Sequence, residues 1–412
     1  MARSAFMTGW AHSPFGKLED PDTEGLMARV LRPALDHAQI AAEDVDGIFV
    51  GIMNNGFQKQ DFQGAIPGLI EPALADKPAV RVEDACASGS AAIYAALNFL
   101  EAGQGKVALV VGAEKMTAKP AADIGDILLG ASYRKEEAEV DGGFAGIFAR
   151  IAQNYFQRYG DRSEELARIA AKNHKNGVAN PFAQMRKELS FEFCNMVSDK
   201  NPYVVHPLRR SDCALVSDGA AALVLVAEDA AADAPRAIRF RATAHVNDVL
   251  PLSRRDPAAF DGARRAWKLA LERAGITIGD LSLAECHDCF TIAELIQYEA
   301  MGLTAPGQGH IAVREGWTEK TGKLPVNPSG GLKSKGHPIG ATGVSMHIMA
   351  AMQLMGESGD MQIPDATLAG VYNMGGAAVA NFCSILECAL TKSKVRRARQ
   401  RLHPAGAALM VV

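Results

Sequence analysis

Apolar residues fall into two patterns along this chain. Some stretches are apolar on nearly every side: ASGSAAIYAALNFL at 87–100 and PIGATGVSMHIMAAMQLMG at 338–356 contain no Asp, Glu, Lys or Arg. Helices of that kind must be buried on most of their faces. The second has the length of a membrane span, but His347, Gln353, Thr342, Ser345 and its glycines favour a helix buried in protein. Other stretches, FAGIFARIAQNYFQRY at 144–159 and SEELARIAAKNH at 163–174, carry a single apolar stripe and predict helices lying on a core. Short apolar runs fed by Gly/Ala turns, as in SDGAAALVLVAE at 217–228, predict strands. Helices alternating with such strands predict an α/β fold with mainly parallel, buried sheets.

The pattern repeats. ALDHAQIAAEDVDGIFVG at 34–51 and ALERAGITIGDLSLAECH at 270–287 align at an offset of 236, pairing Ala34, Leu35, Ala38, Ile40 and Asp44 with Ala270, Leu271, Ala274, Ile276 and Asp280. Each predicts an amphipathic helix, a short turn and a strand. SGSAAIYAALNFL (88–100) echoes TGVSMHIMAAMQLM (342–355), and SDGAAALVLVAE (217–228) echoes GGAAVANFCSILE (375–387). Internal similarity of this kind implies a duplicated unit. The halves are read as residues 1–240 and 241–390, with the two uncharged helices packed together at the centre, because Ala, Gly and Ser permit close approach. Residues 117–202 have no counterpart in the second half and are read as an insertion over one face.

Composition narrows the classes. The net charge of −4 argues against a nucleic-acid surface on the body of the protein. Residues 391–412 carry six Lys/Arg and no Asp/Glu, and are read as a basic, solvated tail. Seven cysteines without small-domain spacing suggest no disulfide framework. The opening MARSAFMTGWAH lacks the apolar core of a signal peptide, so a cytoplasmic location is expected.

Three sites carry chemistry. Cys86, in VEDACASGS, sits where an uncharged helix begins; the helix dipole and free N–H groups there are expected to lower its pKa. His337 lies in the glycine-rich loop VNPSGGLKSKGHPIGATG (326–343), ahead of the mirror-related helix, so the two can converge as a nucleophile and base. That loop lacks the lysine of a phosphate-binding loop and the spacing of a dinucleotide fingerprint. The third site is ECHDCF at 285–290. Thr291 and Glu294 have capping-box spacing, so a helix should start there. Extended geometry before it puts His287 and Cys289 on one side, Cys286 and Asp288 on the other. The Cys-x-x-Cys spacing is a redox signal only at a helix start, and zinc would need a further ligand set with metal spacing. Plain core suits Cys286 but not His287 with Cys289.

Together, DACASGSAA around Cys86, GAEKM at 112–116, KNHKNGVANPFAQ at 172–184, SDCALVSDGAAA at 211–222, ECHDCF and NPSGGLKSKGHPIGATG resemble the thiolase superfamily, and within it the sterol-carrier-protein-type thiolases, over about residues 5–390. The resemblance implies two similar halves in a five-layer αβαβα body with a loop domain over the active site. It implies that acyl groups pass between coenzyme A and Cys86, with His337 as base, Cys289 as acid/base at the α-carbon, and His287 with His337 at the enolate oxygen. Backbone N–H groups of Cys86 and of the turn Asn373, Met374, Gly375 and Gly376 would bind the tetrahedral oxyanion. Most thiolases carry a second catalytic cysteine in that turn; here Tyr372 is read at its position and Cys289 supplies the thiol, while Cys383 and Cys388 are read as structural. No metal or organic cofactor is implied, the partners are acyl-CoA and CoA, and a homodimer or a tetramer built from dimers is expected. A decarboxylating condensing enzyme, a thiolase-fold aldolase and a non-enzymatic lipid or CoA carrier are the competing functions.

Overall fold

The computed structural model describes residues 5–231 and 234–390; the basic tail read at 391–412 lies outside the described residues. Nine strands form one sheet: β1 (Ala5–His12), β2 (Gly47–Gly51), β3 (Ala79–Val82), β4 (Val107–Glu114), β5 (Gly219–Ala227), β6 (Ile238–Asn247), β7 (Leu283–Cys286), β8 (Leu368–Gly375) and β9 (Ala380–Cys388). Their spatial order is β3-β2-β4-β5-β1-β6-β9-β8-β7. The helices that matter below are α1 (Leu31–Ala38), α2 (Ser88–Glu101), α3 (Phe144–Tyr159), α4 (Ser163–Gly177), α5 (Asp261–Ala274), α6 (Thr291–Ala300), α7 (Gly331–Lys335) and α8 (Ile339–Met355).

The sequence repeat is a structural repeat. From one edge inwards the first half runs β3, β2, β4, β5, β1. The second runs β7, β8, β9, β6, and Val326 makes a parallel bridge to Ala284 of β7 where β3 stands in the first. The halves meet through two residue pairs, Phe6–Arg239 and Met7–Ile238. Helices α1 and α5 both stop at a left-handed residue, Gln39 at φ 58° and Gly275 at φ 65°. These lie at the same offset of 236, and each is followed by a short 3-10 turn and then a strand.

The sheet is mixed rather than mainly parallel. β3, β2 and β4 are parallel, but β5 and β1 are each paired antiparallel. β7 and β8 are parallel, and β9 then turns back antiparallel on β8 and β6. A four-residue return between β8 and β9 permits only an antiparallel pairing.

Helices α2 and α8 pack against each other between the halves, and α8 touches strands of both. A methyl group on Gly89 would lie 2.7 Å from the Gly340 carbonyl oxygen, and one on Gly343 would strike the Ser90 backbone. Small residues therefore set the helix spacing. With α1 on the outer side of the first half-sheet and α5 on that of the second, the layers read αβαβα. Helix α4, from the segment between β4 and β5, packs on α6 and α7. Among the described residues no helix is long and apolar enough to cross a membrane.

Candidate active site

The centre of the molecule holds the N-terminal ends of α2 and α8. Cys86 precedes α2 on a sharp elbow whose Ala85 has φ 49°, an uncommon conformation for a residue with a Cβ. Ser88 holds the elbow: its hydroxyl accepts from the Asp84 N–H at 3.0 Å and donates to the Ala85 carbonyl at 2.6 Å. The N–H groups of Gly376 and of Cys86 itself point at the Cys86 sulfur. Gly375 packs so closely on the elbow that a side chain there would strike the Asp84 carbonyl.

The thiol nevertheless does not have a lowered pKa. Burial pushes it up to about 12, with Glu114 and Glu83 adding to the rise, against the two N–H groups. Cys86 is only 3% exposed, and desolvation of a thiolate outweighs the helix end and two backbone donors. Burial therefore favours the neutral thiol at Cys86.

His337 is held at two points. Its N–H donates to Ser217 Oγ at 2.9 Å, and its Nδ1 lies 2.7 Å from Thr342 Oγ1, whose hydroxyl donates to the Pro338 carbonyl at 2.8 Å. Burial, helped by the nearby Lys335 ammonium, drives its pKa down to about 3, so the ring is neutral.

The ECHDCF stretch divides as alternation predicts. His287, fully buried, puts Nδ1 2.8 Å from Asn373 Nδ2 and stands edge-on to His337, ring centroids 5.0 Å apart at 88°. Burial and His337 keep it neutral as well. One ligand-type atom each of Cys86, His287 and His337 lies within 4.8 Å of the other two. Burial pushes the Cys289 thiol well above the usual range, and Cys86 lies near enough that a charge on it raises Cys289 further. On the other side, Cys286 accepts weakly from Asn327 Nδ2 at 3.6 Å. Asp288 accepts from the Leu332 N–H at 2.6 Å, the Lys333 N–H at 3.2 Å and Asn173 Nδ2 at 2.8 Å. Cys286 and Cys289 thus face apart, and among the described residues all seven cysteines are unbridged.

Two expectations need correcting. Helix α6 does begin at Thr291, but no capping box forms. Thr291 donates instead to Asp212 at 2.9 Å, and Glu294 binds Lys172, Asn173 and Asn327 in the interior. Tyr372 does not occupy the thiol-facing position of the turn. Its hydroxyl donates to Asn381 at 2.6 Å and its ring stacks towards Trp267, on the opposite face of β8. The residue facing Cys86 is Asn373, which binds the Cys86 carbonyl at 3.2 Å, His287 and Ser90. Met374 alternates away with Tyr372 into the core. Sequence reasoning did not single out Thr342 or Asn173. Thr342, five residues after His337 on the first turn of α8, was legible as a partner; Asn173, 115 residues from Asp288, was not.

Residues 4–202 match the family described as thiolase, N-terminal domain, and residues 244–388 that described as thiolase C-terminal domain-like. Acetyl-CoA acetyltransferase of Methanothermobacter thermautotrophicus is 34% identical over 381 residues, 91% of this chain and 97% of that one. Sterol carrier protein 2 of Bos taurus is 33% identical over 395 residues, 91% of this chain and 70% of that one. Among solved structures, the Ltp2–ChsH2(DUF35) aldolase superposes with a TM-score of 0.81 at 20% identity, over 94% of this chain and 98% of that one, a likeness of fold.

Proposed function

The chain belongs to the thiolase family, and on that premise we propose that it is an acyltransferase that cleaves 3-ketoacyl-CoA with CoA, or condenses acyl-CoA with acetyl-CoA, through an acyl-Cys86 intermediate. The observation that carries the reading is the convergence of Cys86, His287 and His337 within 4.8 Å, with both Nε2 atoms buried and unpartnered.

His337 is neutral and accepts the Cys86 proton at Nε2 as the sulfur attacks the 3-keto carbon. The resulting oxyanion is met by the N–H groups of Cys86 and Gly376. Collapse breaks the bond between the α-carbon and the former keto carbon, leaving acyl-Cys86 and the enolate of acetyl-CoA. His287 and the now protonated His337 donate to the enolate oxygen, and Cys289 gives its proton to the α-carbon. Acetyl-CoA leaves. The thiol of free CoA gives its proton to the Cys289 thiolate and attacks acyl-Cys86, and Cys86 recovers its own proton from His337. Burial keeps the Cys289 thiol protonated, as it does that of Cys86, so the proton needed at the α-carbon is in place. No metal or organic cofactor enters these steps.

The test is cleavage of acetoacetyl-CoA, followed by loss of its enolate absorbance, with and without CoA. Mass spectrometry for an acyl adduct on Cys86 accompanies it. CoA-dependent cleavage with the adduct supports the reading. Cleavage of a 3-hydroxyacyl-CoA to an aldehyde or ketone and an acyl-CoA, needing neither free CoA nor Cys86, would instead indicate the aldolase alternative, which the likeness to an aldolase of the same fold keeps in view. A homodimer, or a tetramer built from two dimers, is part of the same proposal. Phe62, Leu69 and Val80, the last on the edge strand β3, stand 79%, 69% and 47% exposed, apolar surface that a second copy would cover. Sedimentation as a 43.7 kDa monomer at micromolar concentration would refute it.

A further inference from the structure

The two histidines facing Cys86 are chemically alike and both buried, yet the reaction needs one to begin as a base and the other as a donor. We propose that Asn373 locks His287 in the tautomer bearing its hydrogen on Nε2, while Thr342 locks His337 in the opposite tautomer, so the two tasks are assigned before any substrate arrives.

The assignment follows from counting hydrogens. The Thr342 hydroxyl has one hydrogen, donated to the Pro338 carbonyl at 2.8 Å. Towards His337 Nδ1, 2.7 Å away, it can only accept, so Nδ1 carries the hydrogen and Nε2 offers a lone pair to Cys86. At Asn373 the amide orientation is set from outside. The Cys86 carbonyl oxygen, 3.2 Å away, can only accept, so the NH₂ group must face it. The amide oxygen then takes the Ser90 hydroxyl at 2.8 Å, which is consistent. The same NH₂ lies 2.8 Å from His287 Nδ1, which must therefore accept, leaving the ring hydrogen on Nε2. Neither ring is protonated, because burial opposes a charge on both.

The lock is built from both halves of the fold. Ser90 lies on α2, Asn373 on β8, and His287 follows β7. Asn373 is thus a positioning residue for His287, acting through its side chain. Its consequence for catalysis rests on the proposed thiolase reaction, in which a preformed N–H awaits the enolate oxygen; the tautomers themselves do not depend on that reading. The lock also bears on metal binding. A nitrogen that carries hydrogen is not a ligand, so His287 could join Cys86 and His337 on a cation only by breaking its bond to Asn373.

The direct test is nuclear magnetic resonance of the wild-type protein labelled with ¹⁵N at its ten histidines, reading tautomers from two-bond nitrogen–proton couplings. His287→Ala and His337→Ala spectra assign the two signals. We expect Nε2–H for His287 and Nδ1–H for His337. In Asn373→Asp the new carboxylate can only accept, so His287 must gain a hydrogen on Nδ1, while the His337 signal stays as in wild type and reports an intact site. A wild-type His287 with hydrogen on Nδ1 overturns the proposal.

A second variant separates positioning of His287 from simple support of Cys86. Asn373→Ala should lose about 10²–10³-fold in α-proton exchange of acetyl-CoA, the loss usual for one oxyanion donor. Acylation of Cys86 by a simple acyl-CoA should stay within about tenfold of wild type, less than the loss of one such donor. Equal loss of both rates would mean that Asn373 only props Cys86, and would overturn its assignment. A wild-type protein that neither exchanges α-protons nor acylates Cys86 would refute the thiolase reading, leaving the spectra to judge the tautomers alone.

Discussion

The two faces of residues 286–289 make opposite use of the same backbone. On one face His287 and Cys289 present polar atoms that the protein leaves open: His287 Nε2 has no partner, although the residue is fully buried. On the other face Asp288 takes three N–H donors and Cys286 sits against Asn327, with the Lys172–Glu294 ion pair behind them. An unsatisfied buried polar atom costs roughly 1–3 kcal/mol, so an open face persists only where the rest of the fold carries that cost. The satisfied face does so: Asp288 ties this stretch to the loop leading to His337, and Glu285 ties it to Ser329 at 2.6 Å. Chemistry and scaffold are separated by one residue of strand register.

The largest break in this comparison comes from outside the stretch. Cys86→Ala should abolish the acyl adduct and the thiolysis of acetoacetyl-CoA, while stability falls by about 1 kcal/mol, since only a sulfur-sized space is left. Undiminished turnover would remove Cys86 from the mechanism. The wild-type thiol also has a distinctive pH signature. Because burial pushes it up to about 12, its alkylation by iodoacetamide should climb steadily from pH 6 to pH 10. A plateau beginning near pH 7 would indicate a stabilised thiolate and contradict the neutral resting pair.

Next in size is the open face. Cys289→Ala should still form acyl-Cys86 from a simple acyl-CoA, because that half-reaction moves no α-proton. Thiolysis and α-proton exchange should fall by about 10²–10⁴, the usual worth of a positioned acid/base. Normal exchange in this variant, followed by nuclear magnetic resonance, would take Cys289 out of the site. On the closed face, Asp288→Asn keeps the shape but turns one acceptor into a donor against backbone N–H groups. It should cost about 1–3 kcal/mol in denaturant unfolding and slow both half-reactions together, because what it disturbs is the common loop to His337. If only exchange fell, Asp288 would belong to the chemistry, and the division between faces would be wrong.

Much of this was legible in the sequence because local pattern and tertiary need agree there. The offset of 236 survives as matching left-handed helix caps at Gln39 and Gly275, since a one-residue shift in either half would misplace a buried strand. The alternation of His287 with Cys289 was readable from a period of two. Where reading failed, the deciding term was nonlocal. The acidity of Cys86 depends on how deeply it is buried, which its neighbours in sequence do not reveal. Glu294 has the spacing of a cap but is claimed by Lys172, 122 residues away. The antiparallel return of β5 onto β4 follows an excursion of about a hundred residues whose end no local pattern specifies. Asn373 rather than Tyr372 faces the thiol because of the register of β8 against β7, where Tyr372 is level with Cys286.

The smallest expected effect is the sharpest check on the two faces. Cys286 is as buried as Cys289 and lies three residues away in the same motif, so composition cannot rank them. Geometry does. The Cys286 N–H donates to Asn327 Oδ1 at 2.8 Å, a bond that alanine keeps. Its sulfur accepts only at 3.6 Å from Asn327 Nδ2, which also donates to Glu294 at 2.9 Å and so is not orphaned by the change. Cys286→Ala should therefore cost about 1 kcal/mol of stability through lost packing. Acyl-adduct formation and α-proton exchange should stay within about threefold of wild type, well below the worth of a positioned acid/base. Measured beside Cys289→Ala, the pair reads out strand register as chemistry. If Cys286→Ala were the variant that cannot exchange α-protons, the side chains would have to be turned by one residue, and the division of labour between the faces would fall with them.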